Sequence, residues 1–154
     1  MNLLDLIQER TIRVPIKSTD KQSAISELVD VLGNEGSIVD PDTVRQAVWE
    51  RELQRTTGIG EGLAIPHGRC EHLSSMVMAM GIPLKPIDFA SPDKRPVELI
   101  ILLVSPTNNT ADHIQALGRI SRLMVDRTFR EAAYKSKSAN ELHAMFTNAL
   151  NDSN

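Results

Sequence analysis

What the chain has little of narrows the reading first. One cysteine, Cys70, stands in 154 residues, so no internal disulfide is possible and nothing signals an oxidising compartment. Aromatic residues make up only 3%, leaving few rings on which bases could stack. Positive charge is not in excess: 17 Lys and Arg stand against 20 Asp and Glu, a net charge of −3. A broad nucleic-acid footprint needs a basic face. The longest uncharged apolar run, Leu99 to Val104, falls far short of a membrane span. The N-terminal stretch Leu3-Leu4-Asp5-Leu6-Ile7 is broken by Asp5, has no basic region before it, and does not read as a signal peptide. The expectation is a cytoplasmic chain that neither inserts into a membrane nor binds nucleic acid.

What is present is ordinary for a folded domain: 41% apolar and 24% charged residues. The length fits one domain, expected over residues 1–150, with a frayed polar tail at 151–154. Residues 3–9 suit a short helix. Thr11 to Ile16 alternates, predicting a half-buried strand with Ile12, Val14 and Ile16 on one side. Thr19 and Gln22 have capping-box spacing. Ile25, Leu28, Val29 and Leu32 then follow at helical intervals, and Gly33 and Gly36 end the helix. Asp40-Pro41 opens a second helix that runs to about Gln54.

Ser75 to Ile82 reads as a strand. Pro96 to Val104 reads as a central strand buried on both faces and ended by Pro106. Asn108, Asn109 or Thr110 caps a long helix carrying Ile114, Leu117, Ile120, Leu123 and Met124. A short helix is predicted near 128–135, and Ser138 with Glu141 caps the last one. The order strand, two helices, three strands, helices predicts an α/β fold, a three-layer α/β/α sandwich with a mixed central sheet.

The most informative stretch is Thr56 to Gly68. It reads as a flexible loop with glycines at 58, 60 and 62, then a short buried strand Leu63-Ala64-Ile65, then His67 between Pro66 and Gly68. Pro66 lacks a backbone donor, so the strand is expected to stop there and leave His67 at its end. An exposed, largely neutral histidine is a nucleophile. Around it the loop residues Thr57, Gly58, Ile59, Gly60 and Gly62 offer backbone N–H groups for an anion. Arg51 lies a short loop upstream and suits bidentate phosphate contact. His113 falls in the first turn of its helix, on the face of Leu117 and Ile120, where the helix dipole favours an anion. The chemistry these residues support is acceptance and transfer of a phosphoryl group.

The segment resembles the signature of the enzyme IIA components of the bacterial phosphoenolpyruvate-dependent sugar phosphotransferase system, fructose/mannitol type. That signature runs from Glu52 through six spacers to Ile59-Gly60, then two spacers and Leu63-Ala64-Ile65-Pro66-His67-Gly68. Arg95-Pro96-Val97-Glu98-Leu99 and Asp112-His113-Ile114 are also similar to the family. The resemblance implies the three-layer sandwich and phosphorylation of His67 on Nε2, with Arg51 and His113 binding the phosphoryl group. It implies a histidine-containing phosphocarrier protein as donor, a IIB component as acceptor, and no cofactor or metal. A chain of this length is also similar to the nitrogen-regulatory, PtsN-like branch, whose members act by binding regulatory targets.

Plainer readings stand beside these. His113 is alternatively a helix residue satisfied by backbone. Arg51 is alternatively paired with Glu50 or Glu52, or solvated. His67, Cys70 and His72 raise a third function, a metal-dependent hydrolase, though their spacing matches no common zinc pattern. Cys70 is expected to be a small packed side chain, and His72 and His143 surface residues. Met76, Met78 and Met80 suit strand packing, and Arg119, Arg122, Arg127 and Arg130 a solvated helix face.

Overall fold

A computed structural model of the chain describes residues 2–152. Its centre is the strand that the apolar run foretells, β6 (Leu99–Pro106), every residue of which is buried. Alternate side chains enter two separate cores. Leu99, Ile101 and Leu103 pack in one with the helices α1 (Leu3–Leu6), α4 (Thr110–Val125), α5 (Arg127–Tyr134) and α6 (Ala139–Asp152). Ile100, Leu102 and Val104 pack in the other with α2 (Lys21–Asn34) and α3 (Pro41–Gln54). This is the expected three-layer α/β/α sandwich. Each fully buried Leu or Ile on β6 contributes roughly 1.5–3 kcal/mol relative to exposure.

The sheet is mixed. The strands β1 (Ile12–Ile16), β5 (Val77–Pro83), β6, β3 (Leu63–Ala64) and β2 (Gly58–Gly60) lie in that order, and β4 (His67–Cys70) pairs with the far end of β6. β1 runs parallel to β5, and β5 antiparallel to β6. β3 and β4 both run parallel to β6, against Leu99–Ile100 and Leu103–Pro106 respectively. Five strands therefore follow α3 where three were expected. The two extra ones come from the Gly-rich stretch and from the segment beyond Pro66.

Several local expectations shift. Asp20, not Thr19, caps α2, because its carboxylate accepts from the Ser23 N–H at 2.9 Å. Gly33 lies inside that helix. Gly36 ends it with φ 74°, and the Ser37 N–H returns to the Leu32 carbonyl at 2.9 Å. Ile12 and Ile16 enter opposite cores because the β1–β5 register shifts between Arg13 and Ile16. The predicted helix over 3–9 divides into α1 and a 3-10 turn at Glu9–Thr11. Asn151 and Asp152 are helical, and residues 153–154 of the expected tail lie outside the described residues.

Two side chains placed on the surface by pattern are not free there. Arg130 is buried: its guanidinium donates to the Met124 carbonyl at 3.0 Å and to Glu61 at 3.3 Å. It belongs to the short α5, which packs this one of its two arginines inward and leaves Arg127 exposed. His143 is half-buried, with Nε2 3.2 Å from the Ile7 carbonyl. No helix among the described residues is long and apolar enough to cross a membrane.

Candidate active site

Pro66 does not end the strand pairing. It sits between β3 and β4, where its missing N–H falls in a gap of the ladder and its carbonyl accepts from the Leu103 N–H at 3.0 Å. Pairing with β6 resumes at His67, opposite Leu103. His67 is thus the first residue of β4. Strand alternation sends Gly68 and Cys70 toward α3 and His67 with Arg69 toward α4. Gly68 is where α3 comes close: a Cβ there would stand 3.0 Å from Val48 Cγ2 and 3.2 Å from the Val48 nitrogen.

The ring of His67 is half-buried, and its Nδ1 lies 2.8 Å from the Ile65 carbonyl oxygen. A carbonyl only accepts, so Nδ1 carries the proton in the neutral ring and Nε2 keeps a free lone pair. Burial holds the imidazole below its ordinary pKa. The Ile65 carbonyl opposes that, nearby Arg51 adds to it, and Glu52 counters Arg51. The ring of His113 stands 5.4 Å away, centroid to centroid, at 60°. His113 is buried, and its Nδ1 is 2.6 Å from Ser105 Oγ. Burial, then His67 and Arg69, push its pKa down to about 4. Two neutral imidazoles therefore face one another at neutral pH.

A cleft of about 440 Å³ opens over His67. Arg51 and Arg55 line one side, Thr57, Gly58 and Ile59 another, and Leu117 of α4 a third. Arg51 uses one N–H on the Arg55 carbonyl at 2.8 Å. The structure thus brings together His67, His113, Arg51, Thr57, Gly58 and Ile59. It does not bring Gly60 and Gly62 to the cleft. Gly60, at φ 100°, faces Asp93, and Gly62, at φ 83°, packs on Tyr134 and Glu98.

Nor is the 57–62 segment a flexible loop. Gly58 and Gly60 pair with Ala64 and Leu63 in a hairpin, whose turn needs the positive φ of Gly60 and Gly62. The Thr57 N–H is taken by Glu52 Oε2 at 2.8 Å, and the Gly58 N–H by Thr56 Oγ1 at 3.0 Å. Of the residues raised for a metal, Cys70 is in the α2–α3 core with its thiol pKa raised by burial, and His72 is exposed. Among the described residues no group of three His, Cys, Asp or Glu converges on one point.

Sequence reasoning missed Ser105 and the burial of Glu52. Ser105 had a legible signal: it continues the odd-numbered face of β6 after Leu99, Ile101 and Leu103, so a hydroxyl there points into the site. Glu52 is 3% exposed. Its oxygens are engaged by the N–H and the hydroxyl of Thr57 and by Lys21 Nζ at 3.2 Å.

Residues 5–149 match the family model described as phosphoenolpyruvate-dependent sugar phosphotransferase system, EIIA 2. The chain is 31% identical over 138 residues to the fructose-specific EIIABC component of Bacillus subtilis, covering 90% of this chain but only 22% of that protein. It is 32% identical over 145 residues to a nitrogen regulatory protein of Bradyrhizobium diazoefficiens, covering 94% of each. The crystal structure of nitrogen regulatory protein IIA-Ntr from Neisseria meningitidis superposes with a TM-score of 0.86 at 28% identity, covering 93% of this chain and 97% of that one. The chain therefore belongs to the EIIA type-2 family of the phosphotransferase system, whose members are phosphotransferases carrying phosphoryl groups on histidine.

Proposed function

We propose that His67 is the phosphoryl carrier of this chain. The observation that carries the reading is the bond from His67 Nδ1 to the Ile65 carbonyl, which leaves Nε2 unprotonated in a ring that lines an open cleft. In the proposed step the Nε2 lone pair attacks phosphorus. The P–N bond to the donor's histidine breaks, and its electron pair returns to the donor ring. The donor is a histidine-containing phosphocarrier protein. In the onward step a nucleophile of a IIB component attacks the phosphorus, the bond to His67 Nε2 breaks and its electron pair returns to the His67 ring, and the IIB component serves sugar uptake. Arg51 and His113 meet the charge of the phosphoryl group. Residues 1–150 act as one IIA domain in the cytoplasm.

The experiment is intact mass after incubation with phosphoenolpyruvate, enzyme I and the phosphocarrier protein. Wild type is expected to gain one acid-labile, alkali-stable phosphoryl group and His67→Ala none. Equal phosphorylation of the two would move the carrier site elsewhere.

A second reading is supported by the nearly complete two-way coverage with the nitrogen regulatory proteins. In it, the chain binds regulatory targets according to the phosphorylation of His67. Affinity capture with His67→Ala and the charge-mimicking His67→Glu separates the readings, since identical partner sets would exclude a phosphorylation switch.

A further inference from the structure

We propose that Glu52 is a positioning residue for phosphoryl transfer, fixing the orientation of the His67 ring through a relay of hydrogen bonds. The proposal rests on the reading of His67 as carrier.

The relay can be followed atom by atom. The Glu52 carboxylate accepts from the Thr57 N–H at 2.8 Å and from the Thr57 hydroxyl. The Thr57 carbonyl accepts from the Ile65 N–H at 3.1 Å. The Ile65 carbonyl accepts from His67 Nδ1 at 2.8 Å. Each link holds the residue whose carbonyl accepts in the next: α3 fixes the start of the hairpin, the hairpin fixes the peptide beside Pro66, and that peptide fixes the ring. Thr57 and the adjoining Gly58 and Ile59 are also the cleft wall beside His67.

A structural role alone accounts poorly for this carboxylate. Glu is almost never fully buried unless paired, and an apolar side chain of similar size would fill the space without desolvating a charge. Here both oxygens are used, and the partners, Thr57 and Lys21, lie on two different segments. Lys21 is the first residue of α2, and its ammonium also reaches the Phe89 carbonyl at 3.4 Å. The Thr56 hydroxyl donates to that same carbonyl. The carboxylate therefore ties α2, the end of α3 and the loop before β6 to the residue that starts the relay. The charged and titratable groups facing His67 or its cleft are Arg51 and Glu52 from α3, Arg55 at the end of that helix, and His113 from α4. Of these only Glu52 is joined to the ring by continuous hydrogen bonds.

The test compares wild type, Glu52→Ala, Glu52→Gln and Thr57→Val on the full chain. Ring-nitrogen NMR of His67 reads the tautomer without any donor present. The rate of phosphoryl acceptance from the phosphorylated phosphocarrier protein is measured in parallel. Wild type is expected to show a single tautomer with the proton on Nδ1. Glu52→Ala is expected to mix the tautomers and to lose about tenfold in kcat/KM, the scale of one hydrogen bond to a charged group. Glu52→Gln keeps an oxygen for the Thr57 N–H, so it recovers most of the rate and the single tautomer. Thr57→Val keeps the backbone link, and its tautomer stays fixed while its rate falls less than that of Glu52→Ala.

A folded Glu52→Ala with wild-type tautomer and rate would overturn the proposal. So would Glu52→Gln as impaired as Glu52→Ala, which would assign the effect to the ion pair with Lys21. If Glu52→Ala does not fold, the Gln and Val variants decide. If wild type itself accepts no phosphoryl group, the carrier reading fails, while the tautomer comparison still judges the relay.

Discussion

Gly68→Ala tests how tightly the packing of α3 governs the site. The glycine's backbone is of a kind any residue adopts, since no left-handed φ is found there, so the cost is one of space. A Cβ would sit 3.0 Å from Val48 Cγ2, 3.2 Å from the Val48 nitrogen and 3.4 Å from its Cα. Val48 is fully buried, and a β-branched side chain in a helix has one strongly preferred rotamer. The methyl cannot swing aside, and the nitrogen moves only with its helix. α3 must therefore withdraw from β4 by a few tenths of an ångström. Overpacking of this kind costs about 1–3 kcal/mol. The same helix carries Arg51 and Glu52, one turn further along. A displacement of about 1 Å in a positioned group costs up to ~10²-fold in rate, so a shift of tenths predicts a several-fold slower phosphoryl acceptance. Urea unfolding gives the first quantity and initial rates, taken where both proteins are folded, give the second. A variant within about 0.5 kcal/mol of wild type and equally fast would refute the reasoning, because α3 and β4 would then be elastically coupled.

Gly118 is the counterpart: it lies inside α4 with nothing within 4 Å of an added Cβ. Gly118→Ala is expected to stabilise by about 0.5–1 kcal/mol through helix propensity alone, seen as a higher urea midpoint at unchanged slope. Acidification is expected to destabilise the protein between the ordinary histidine pKa of 6.5 and the value of about 4 for His113. His67 and His113 both have folded-state pKa values below the unfolded one, so the unfolded chain binds more protons in that window. Their stabilising contribution is complete above the unfolded value and is lost as pH falls through the folded values. Each contributes at most about 1.4 kcal/mol per pH unit. Unfolding free energies that stay level or rise on going from about pH 7 to about pH 5 would contradict the two neutral imidazoles.

The layers were legible because β6 announces itself. A run with no polar break from Leu99 to Val104 has few places to go except the middle of a sheet, and the helices around it carry one-sided apolar stripes. The pairing of His67 with His113 followed from His113 sharing a helix face with Leu117 and Ile120. What the pattern hid were features that depend on distant partners. The Gly-rich segment looked flexible, yet Glu52 and the close approach of Ser91 and Phe89 to Gly58 hold it as a strand. Proline chemistry said that the pairing stops at Pro66, but β3 ends at Ala64 and pairing with β6 resumes at His67. Nothing local says that β6 is long enough to take up His67–Cys70 on the far side. Arg130 looked like one of four solvated arginines, because only the tertiary fold supplies the Met124 carbonyl and Glu61 that draw it inside.

On the proposed reading of His67 as carrier, the groups that would meet the charge of its phosphoryl group are donors not already engaged. A nest of backbone amides was the natural expectation from three alternating glycines. The Thr57, Gly58 and Glu61 N–H groups are instead bonded to Glu52, Thr56 and Asp93, and opening any of them would break the hairpin that shapes the cleft. Side chains remain. A guanidinium has five N–H donors, and Arg51 gives one to the Arg55 carbonyl. His113, neutral and fixed through Nδ1 by Ser105, presents its other nitrogen as a donor whenever the serine hydroxyl is the one that donates. A carrier must release what it accepts. Donors on a long side chain leave with a change of rotamer, whereas a rigid amide nest would hold the phosphoryl group as firmly after transfer as before it. The engaged amides of the hairpin are thus consistent with a site built to pass its phosphoryl group on.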